Sequence, residues 1–186
     1  MDIFEDLLHV IRSKKEVAFV ESNPGPYLVR QRSEEEIRSG PSRAVGLTFM
    51  PGQVAPIDLQ NLSDFDELDA EADLLERFQV YAVTKTNRNI FANGITVGRA
   101  PNNDVVVPIA SVSKFHAWLK RENTGYTAYD ARSRFGTFVG TTRAAPEGDK
   151  GIPISSGMQL KLGEMALTFM DAEALHRWAY AQIKKK

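Results

Sequence analysis

Cysteine is absent from the 186 residues, which excludes disulfides, thiolate metal sites and a cysteine nucleophile together. A reducing cytoplasm is the expected compartment. No apolar run approaches the roughly 20 residues needed to span a bilayer, so no membrane segment is expected. The opening MDIFEDLLHV is acidic where a secretory signal is basic, so no export signal is expected either. Histidine is scarce, and His9, His116 and His176 are too scattered in sequence to suggest a metal cluster. There is no GxxxxGK phosphate loop, no GxGxxG opening a helix and no nucleophile elbow. The chemistry left over is that of binding, with no catalytic residue, metal or cofactor expected.

What is present is a globular composition, 42% hydrophobic and 25% charged, with room for one domain and an appendage. The net charge of −1 hides an asymmetry. Residues 1–78 hold 8 Lys+Arg against 16 Asp+Glu, and the remainder holds 15 against 8, so the halves carry −8 and +7. Such halves imply an anionic partner for the basic part, or attraction between the parts.

In the acidic half, Phe4, Leu7, Leu8 and Ile11 recur at helical spacing and predict a short amphipathic helix from Asp2 to Ser13. Glu16 to Glu21 reads as a strand, Asn23-Pro24-Gly25-Pro26 as a turn and Tyr27 to Gln31 as a second strand, which predicts a hairpin. Ser33 to Ser42 reads as a loop and Arg43 to Met50 as a further strand. From Ser63 to Phe78, acidic residues alternate with Phe65, Leu68, Ala72 and Leu75 at helical intervals. That helix is read as a solvated acidic face; a sharper reading has it screen the basic half.

From Phe78 onward, short apolar runs alternate with turn residues. Phe78 to Thr84, Asn89 to Arg99, Val105 to Val107, His116 to Arg121 and Tyr126 to Asp130 read as strands, and the last pair frames the turn Glu122 to Gly125. Met158 to Leu162 and Met165 to Phe169 form a final hairpin around Gly163-Glu164. Asp171 is placed to cap a closing helix with an apolar stripe of Leu175, Trp178, Ala179 and Ile183. Many short strands with frequent turns predict a mainly β fold, a sandwich. The expected division is 1–77 as an acidic α/β extension of unassigned role and 78–186 as the sandwich with its closing helix.

Within the sandwich, Gly98-Arg99, then Asn103-Asp104, then Ser113 and His116 spaced as SxxH, then Ser133 with Gly136 and Thr137, occur in an order that resembles the forkhead-associated (FHA) domain. The resemblance covers roughly Phe78 to Met170. It implies a β-sandwich whose loops bind phosphothreonine peptides in Ser/Thr kinase signalling, with a phosphothreonine-containing protein, a Ser/Thr kinase among the candidates, as partner. It further implies Arg99 and Ser113 as phosphate ligands and Lys114 at a position that often adds a contact. Arg134 falls where the family often has a small residue touching phosphate, which makes it a second candidate guanidinium. The resemblance makes His116 architectural rather than catalytic. Gly98 and Gly136 are read as turn glycines that support the site. Phe135 stands where the family usually has Asn in its SxNGT segment, and so belongs to the peptide-contacting set by position. A phosphothreonine offers about 1.5 to 2 negative charges and three acceptor oxygens, which fixed donors and a permanent cation suit. Two rivals stand beside this reading: an FHA fold kept as a structural scaffold after losing phosphopeptide binding, to which Phe135 points, and nucleic-acid binding by the basic half, which is not the expected partner.

Overall fold

The computed structural model describes residues 8, 16–22, 25–39, 72–123, 125–145 and 150–184. Two sheets pack face to face. The first runs β2-β1-β11-β10-β7-β8, built from β1 (Tyr27–Gln31), β2 (Phe78–Ala82), β7 (Thr137–Val139), β8 (Thr142–Arg143), β10 (Gln159–Leu162) and β11 (Met165–Met170). The second runs β4-β3-β5-β6-β9, from β3 (Ile95–Gly98), β4 (Val105–Val106), β5 (Ala117–Glu122), β6 (Gly125–Asp130) and β9 (Ile152–Ile154). Pairing is antiparallel except between β3 and β4. Period-2 alternation sets the register: in β10, Leu160 and Leu162 are buried while Gln159 and Lys161 are exposed. The hairpin closes with Leu162 opposite Met165, and Gly163 takes a positive φ of 63° in the turn. The mainly β sandwich expected from the sequence is the observed architecture.

Among the described residues, helices α1 (Glu16–Ser22), α2 (Glu34–Ser39) and α3 (Ala172–Ile183) accompany the sheets; residues 72–77 are helical as well. Leu28, Val97, Leu119, Leu160, Leu162 and Leu167 fill the space between the sheets. The outer face of the first sheet has its own core, in which Tyr27 and Val29 meet Leu8, Phe19, Leu74, Leu175 and Ala179. Strand β1 is thus apolar on both faces, which is why Tyr27-Leu28-Val29 reads as a continuous apolar run. Although it lies within residues 1–77, β1 pairs with both β2 and β11. Asp171 caps α3 by accepting the Ala174 N–H at 2.7 Å, and Trp178 meets Phe78 edge to face at 4.8 Å.

Three expectations are corrected. Glu16–Ser22 is a helix, not a strand: a short apolar run fits either state, and Phe19 is buried against Tyr27 and His176 on the outer face of the sheet. The predicted hairpin is absent because Tyr27–Gln31 takes its partners from later in the chain. Within the segment read as a loop, Glu34–Ser39 is helical; Ser33 accepts the Glu36 N–H and Glu36 accepts the Ser33 N–H, a capping box, with three glutamates at the positive end of the dipole. Of the predicted helix from Asp2 to Ser13, only Leu8 is described, and it is helical and buried. The proposed strand from Arg43 to Met50 and the start of the acidic helix lie outside the described residues. Where that helix is described, at 72–77, Leu74 is buried and Asp73 pairs with Arg77 at 2.7 Å; Phe78 already belongs to β2.

Candidate phosphate-binding loops

Three loops leave one end of the sandwich: β3 to β4 carries Arg99, β4 to β5 carries Ser113 and Lys114, and β6 to β7 carries Arg132 to Gly136. Ser113 is where they meet. Its carbonyl accepts the Arg99 N–H at 2.9 Å and its hydroxyl oxygen accepts the Arg134 N–H at 3.0 Å. Its own N–H donates to Nδ1 of His116 at 2.9 Å. Each bond comes from a different part of the chain.

His116 is wholly buried, and its Nε2 lies 3.1 Å from the Gly136 carbonyl. Since Nδ1 accepts, the hydrogen sits on Nε2 and is donated to Gly136. The ring therefore ties the Ser113 loop to the β6–β7 loop as a neutral imidazole. Burial pushes its pKa below the ordinary 6.5, against the opposing pull of the Gly136 carbonyl and the Asp130 charge. Neither nitrogen engages the Ser113 hydroxyl, so His116 is not placed as a base for that serine, and Asp130 is occupied elsewhere.

The glycines act in two ways. Gly98 does not take a positive φ; instead a Cβ there would collide with the Lys114 carbonyl oxygen. Close approach of two backbones, rather than an unusual turn angle, requires glycine at 98. Gly136 does have the turn geometry, with φ of 83°. Arg132 is the non-glycine residue with positive φ among the described residues, at 56°, a conformation that costs of order 1 kcal/mol.

Buried polar side chains hold the loops in shape. Asn103 donates to the carbonyls of Ala100 and Lys114 at 2.8 and 2.7 Å. Asp104 accepts from the N–H and hydroxyl of both Thr86 and Thr96, and from Lys85 at 3.0 Å. Burial raises its carboxyl, but the bonds from Asn89, Thr96 and Thr86 outweigh that and hold it well below the usual carboxylate range. Asp130 accepts from the N–H and hydroxyl of Ser133 and from Thr137, while the Ser133 hydroxyl oxygen accepts the Gly136 N–H. The family resemblance gives Asp130 no role in the loop. The spacing of Asp130, Ser133 and Gly136 carried the signal, because an Asp side chain readily accepts from groups a few residues on.

The cations lie outside this frame. Arg99 is exposed, and its Nε donates to the Val112 carbonyl at 3.2 Å; its terminal nitrogens have no hydrogen-bond partner among the described residues. Lys114 is exposed, with its carbonyl held by Ala100 and Asn103. Arg134 is exposed, its guanidinium carbon 5.0 Å from the Phe135 ring centroid. Phe135 is 45% exposed, with its Cβ near Gly163 of the final turn. The loops therefore bring Arg99, Ser113, Lys114 and Arg134 to one end of the molecule through contacts with Ser113 or its neighbours. Hydroxyl and guanidinium donors on a rigid polar frame suit an anion with several acceptor oxygens. Among the described residues no group of His, Asp or Glu is arranged to hold a metal ion, and no helix is long and apolar enough to cross a membrane.

No curated protein matches the sequence. Among solved structures, the chain is similar to Mycobacterium tuberculosis EmbR in complex with a low-affinity phosphopeptide, at 25% identity and a TM-score of 0.39, covering 50% of this chain and 22% of that one. It is similar to the FHA-2 domain of a Mycobacterium tuberculosis ABC transporter, at 28% identity and a TM-score of 0.37, covering 48% and 82%. It is similar also to the FHA domain of the CT664 protein from Chlamydia trachomatis, at 13% identity and a TM-score of 0.43, covering 78% and 97%. The FHA domain model matches residues 95–163, from the first residue of β3 to the turn after β10. That match takes in all three loops and the residues that join them, and it identifies this part of the chain as an FHA domain.

Proposed function

We propose that this FHA domain binds phosphothreonine on a protein partner, with Arg99, Ser113, Lys114 and Arg134 meeting the phosphate. FHA relatives are phosphothreonine-binding modules in kinase signalling. The observation that carries the reading here is the state of Ser113. Its oxygen already accepts from Arg134, so its single hydrogen is available to a phosphate oxygen, while the Arg99 main chain is fixed to the same residue. Arg99 supplies a charge that no accessible pH removes. The role is recognition, not catalysis, and it sets the domain in the cytoplasm among targets of Ser/Thr kinases, a kinase itself being one candidate partner.

One observation favours a second reading. Phe135 puts a phenyl ring where an amide would bond a peptide backbone, which suits a scaffold that has lost its ligand. Calorimetric titration with a library of phosphothreonine peptides and their unphosphorylated counterparts separates the two. Phosphate-dependent binding abolished by Arg99→Ala supports recognition; indifference to phosphate supports the scaffold.

A further inference from the structure

The outer face of the first sheet is covered over one half. The second core draws on Tyr27 and Val29 of β1, Phe78 and Val80 of β2 and Met170 at the end of β11, but on no residue of β10, β7 or β8. On that open half the register sets Arg143 opposite Phe138 and Phe138 opposite Lys161, so three neighbouring strands present a row of cation, ring and cation. Val139, Leu160 and Leu162, which alternate with them, point into the sandwich. The Arg143 guanidinium carbon and the Lys161 Nζ each lie 5.9 Å from the Phe138 ring centroid, which places both within cation–π reach of one ring. Both cations are exposed, and neither has a hydrogen bond or an ion pair among the described residues. Strands β7, β8, β10 and β11 contain no Asp or Glu, and Glu164, in the turn after β10, pairs with neither cation.

Like charges gathered on one sheet face repel. Elsewhere on the surface such cations are matched, Lys120 by Glu122 and Arg177 by Glu173; here the ring draws two together and leaves both uncompensated. An anionic group entering between them gains from each. We propose that this row is a docking surface for an acidic protein segment, whose carboxylates pair with Arg143 and Lys161 across Phe138. The number of cations decides the class of partner. Holding nucleic acid draws on roughly 6 to 10 phosphate contacts, and holding an anionic lipid surface on about 4 to 8 Lys or Arg side chains; two cations suit a short run of Asp or Glu. The surface is continuous with the candidate phosphate-binding loops, since Arg143 lies close against Gly136, in the space a side chain there would take, and Arg134 stands two residues earlier. Exposed charge pairs are individually weak and are screened by salt, so the contact is modest and salt-dependent. It requires no phosphate, and it stands or falls apart from the phosphothreonine reading.

The test is a titration of the isotope-labelled full chain with hexaglutamate, followed through its amide NMR signals, with hexaglutamine, hexathymidylate and phosphatidylserine vesicles as comparison ligands. Hexaglutamate is expected to shift the amides of residues 137–139, 142–143 and 159–162 at about 0.05 M salt and to lose that effect by about 0.5 M, where screening is short-ranged. Arg143→Gln with Lys161→Gln is expected to weaken binding at this face roughly tenfold. No shift with hexaglutamate, shifts confined to the loops of Arg99, Ser113 and Arg134, shifts that persist in the double variant, or equal shifts with hexaglutamine overturn the surface. Tighter binding of hexathymidylate or of the vesicles to this face overturns the assignment to an acidic protein segment. Should the double variant lose its thermal unfolding transition, Lys161→Gln alone carries the same comparison, since that side chain is exposed and makes no hydrogen bond among the described residues.

Discussion

The main-chain N–H of Arg134 donates to the hydroxyl oxygen of Ser113 at 3.0 Å, joining loops 21 residues apart in sequence. The bond leaves Ser113 one hydrogen to give and fixes where that hydrogen is presented. Ser113→Ala is expected to weaken phosphothreonine peptide binding roughly ten- to hundredfold, the size of one charge-assisted bond. Ser113→Thr keeps the hydroxyl and should retain most of the affinity. Calorimetric titration of both variants decides it: an alanine variant that binds as the wild type does would remove Ser113 from the site.

Arg99 combines exposure with orientation, because its Nε is held by the Val112 carbonyl. Arg99→Lys keeps the charge but loses both that bond and the planar fork, so it is expected to bind nearly as poorly as Arg99→Ala. Both should unfold within about 0.5 kcal/mol of the wild type, as surface substitutions do. Full binding by the lysine variant would mean that a point charge suffices.

The sandwich and the order of loop residues were legible because both are local. Alternation in Met158 to Phe169 follows from the strand repeat, and the SxxH spacing of Ser113 and His116 is a single loop closed by one bond. What was not legible depends on partners distant in sequence. Tyr27–Gln31 lies between strands that begin at Phe78 and Met165, and nothing near residue 27 names either. Phe19 shows the same limit, since its burial against His176 decides for helix in a run that fits both states. Gly98 reads in sequence as a turn glycine, whereas its reason is the Lys114 carbonyl, sixteen residues on.

His116 gives the loops a pH dependence. Its folded pKa is depressed by burial, so the unfolded chain takes up its proton first as pH falls. Stability from the neutral ring is complete above the ordinary value of 6.5 and is lost as pH falls from there through the depressed folded value. Protonation would also set an N–H on Nδ1 against the Ser113 N–H. Urea unfolding between about pH 8 and about pH 5 should show the decline, and His116→Asn should flatten it. Asp104 acts in a separate window: its depressed carboxyl contributes stability above the ordinary 3.8 that is lost only in stronger acid. A wild-type curve flat through 6.5 would show that folding does not lower the ring's affinity for its second proton.

Phe135 bears on selectivity more than on phosphate. Its ring carries no donor or acceptor for a peptide backbone, and it supports the Arg134 guanidinium at 5.0 Å. Phe135→Asn is expected to sharpen selection after the phosphothreonine while changing phosphate dependence little. A positional-scanning phosphopeptide array on both proteins measures this. Asn-like selectivity already present in the wild type, and unaltered by the substitution, would show that Phe135 stands away from the peptide.

Removing residues 1–77 tests how the acidic half serves the domain. The charge asymmetry alone suggests that their loss unmasks the basic loops and tightens binding. Strand β1 argues otherwise. Leu28 is wholly buried between the sheets, Tyr27 and Val29 are buried in the second core, and Arg30, 3% exposed, is paired with Glu36. Deletion would strip a pairing partner from both β2 and β11, leave Leu175 and Ala179 of α3 facing solvent and open the sandwich beside Leu167 and Phe169. Lost burial of several such side chains costs about 1.5 to 3 kcal/mol each, against a total stability of roughly 5 to 15 kcal/mol. Residues 78–186 are therefore expected to lack a cooperative thermal transition and fixed near-UV circular dichroism. A fragment starting at Gly25 and ending at Lys186 keeps β1 and should regain part of both. Cooperative unfolding of 78–186 near the midpoint of the full chain would show that β1 is dispensable, and the charge argument would then be free to apply.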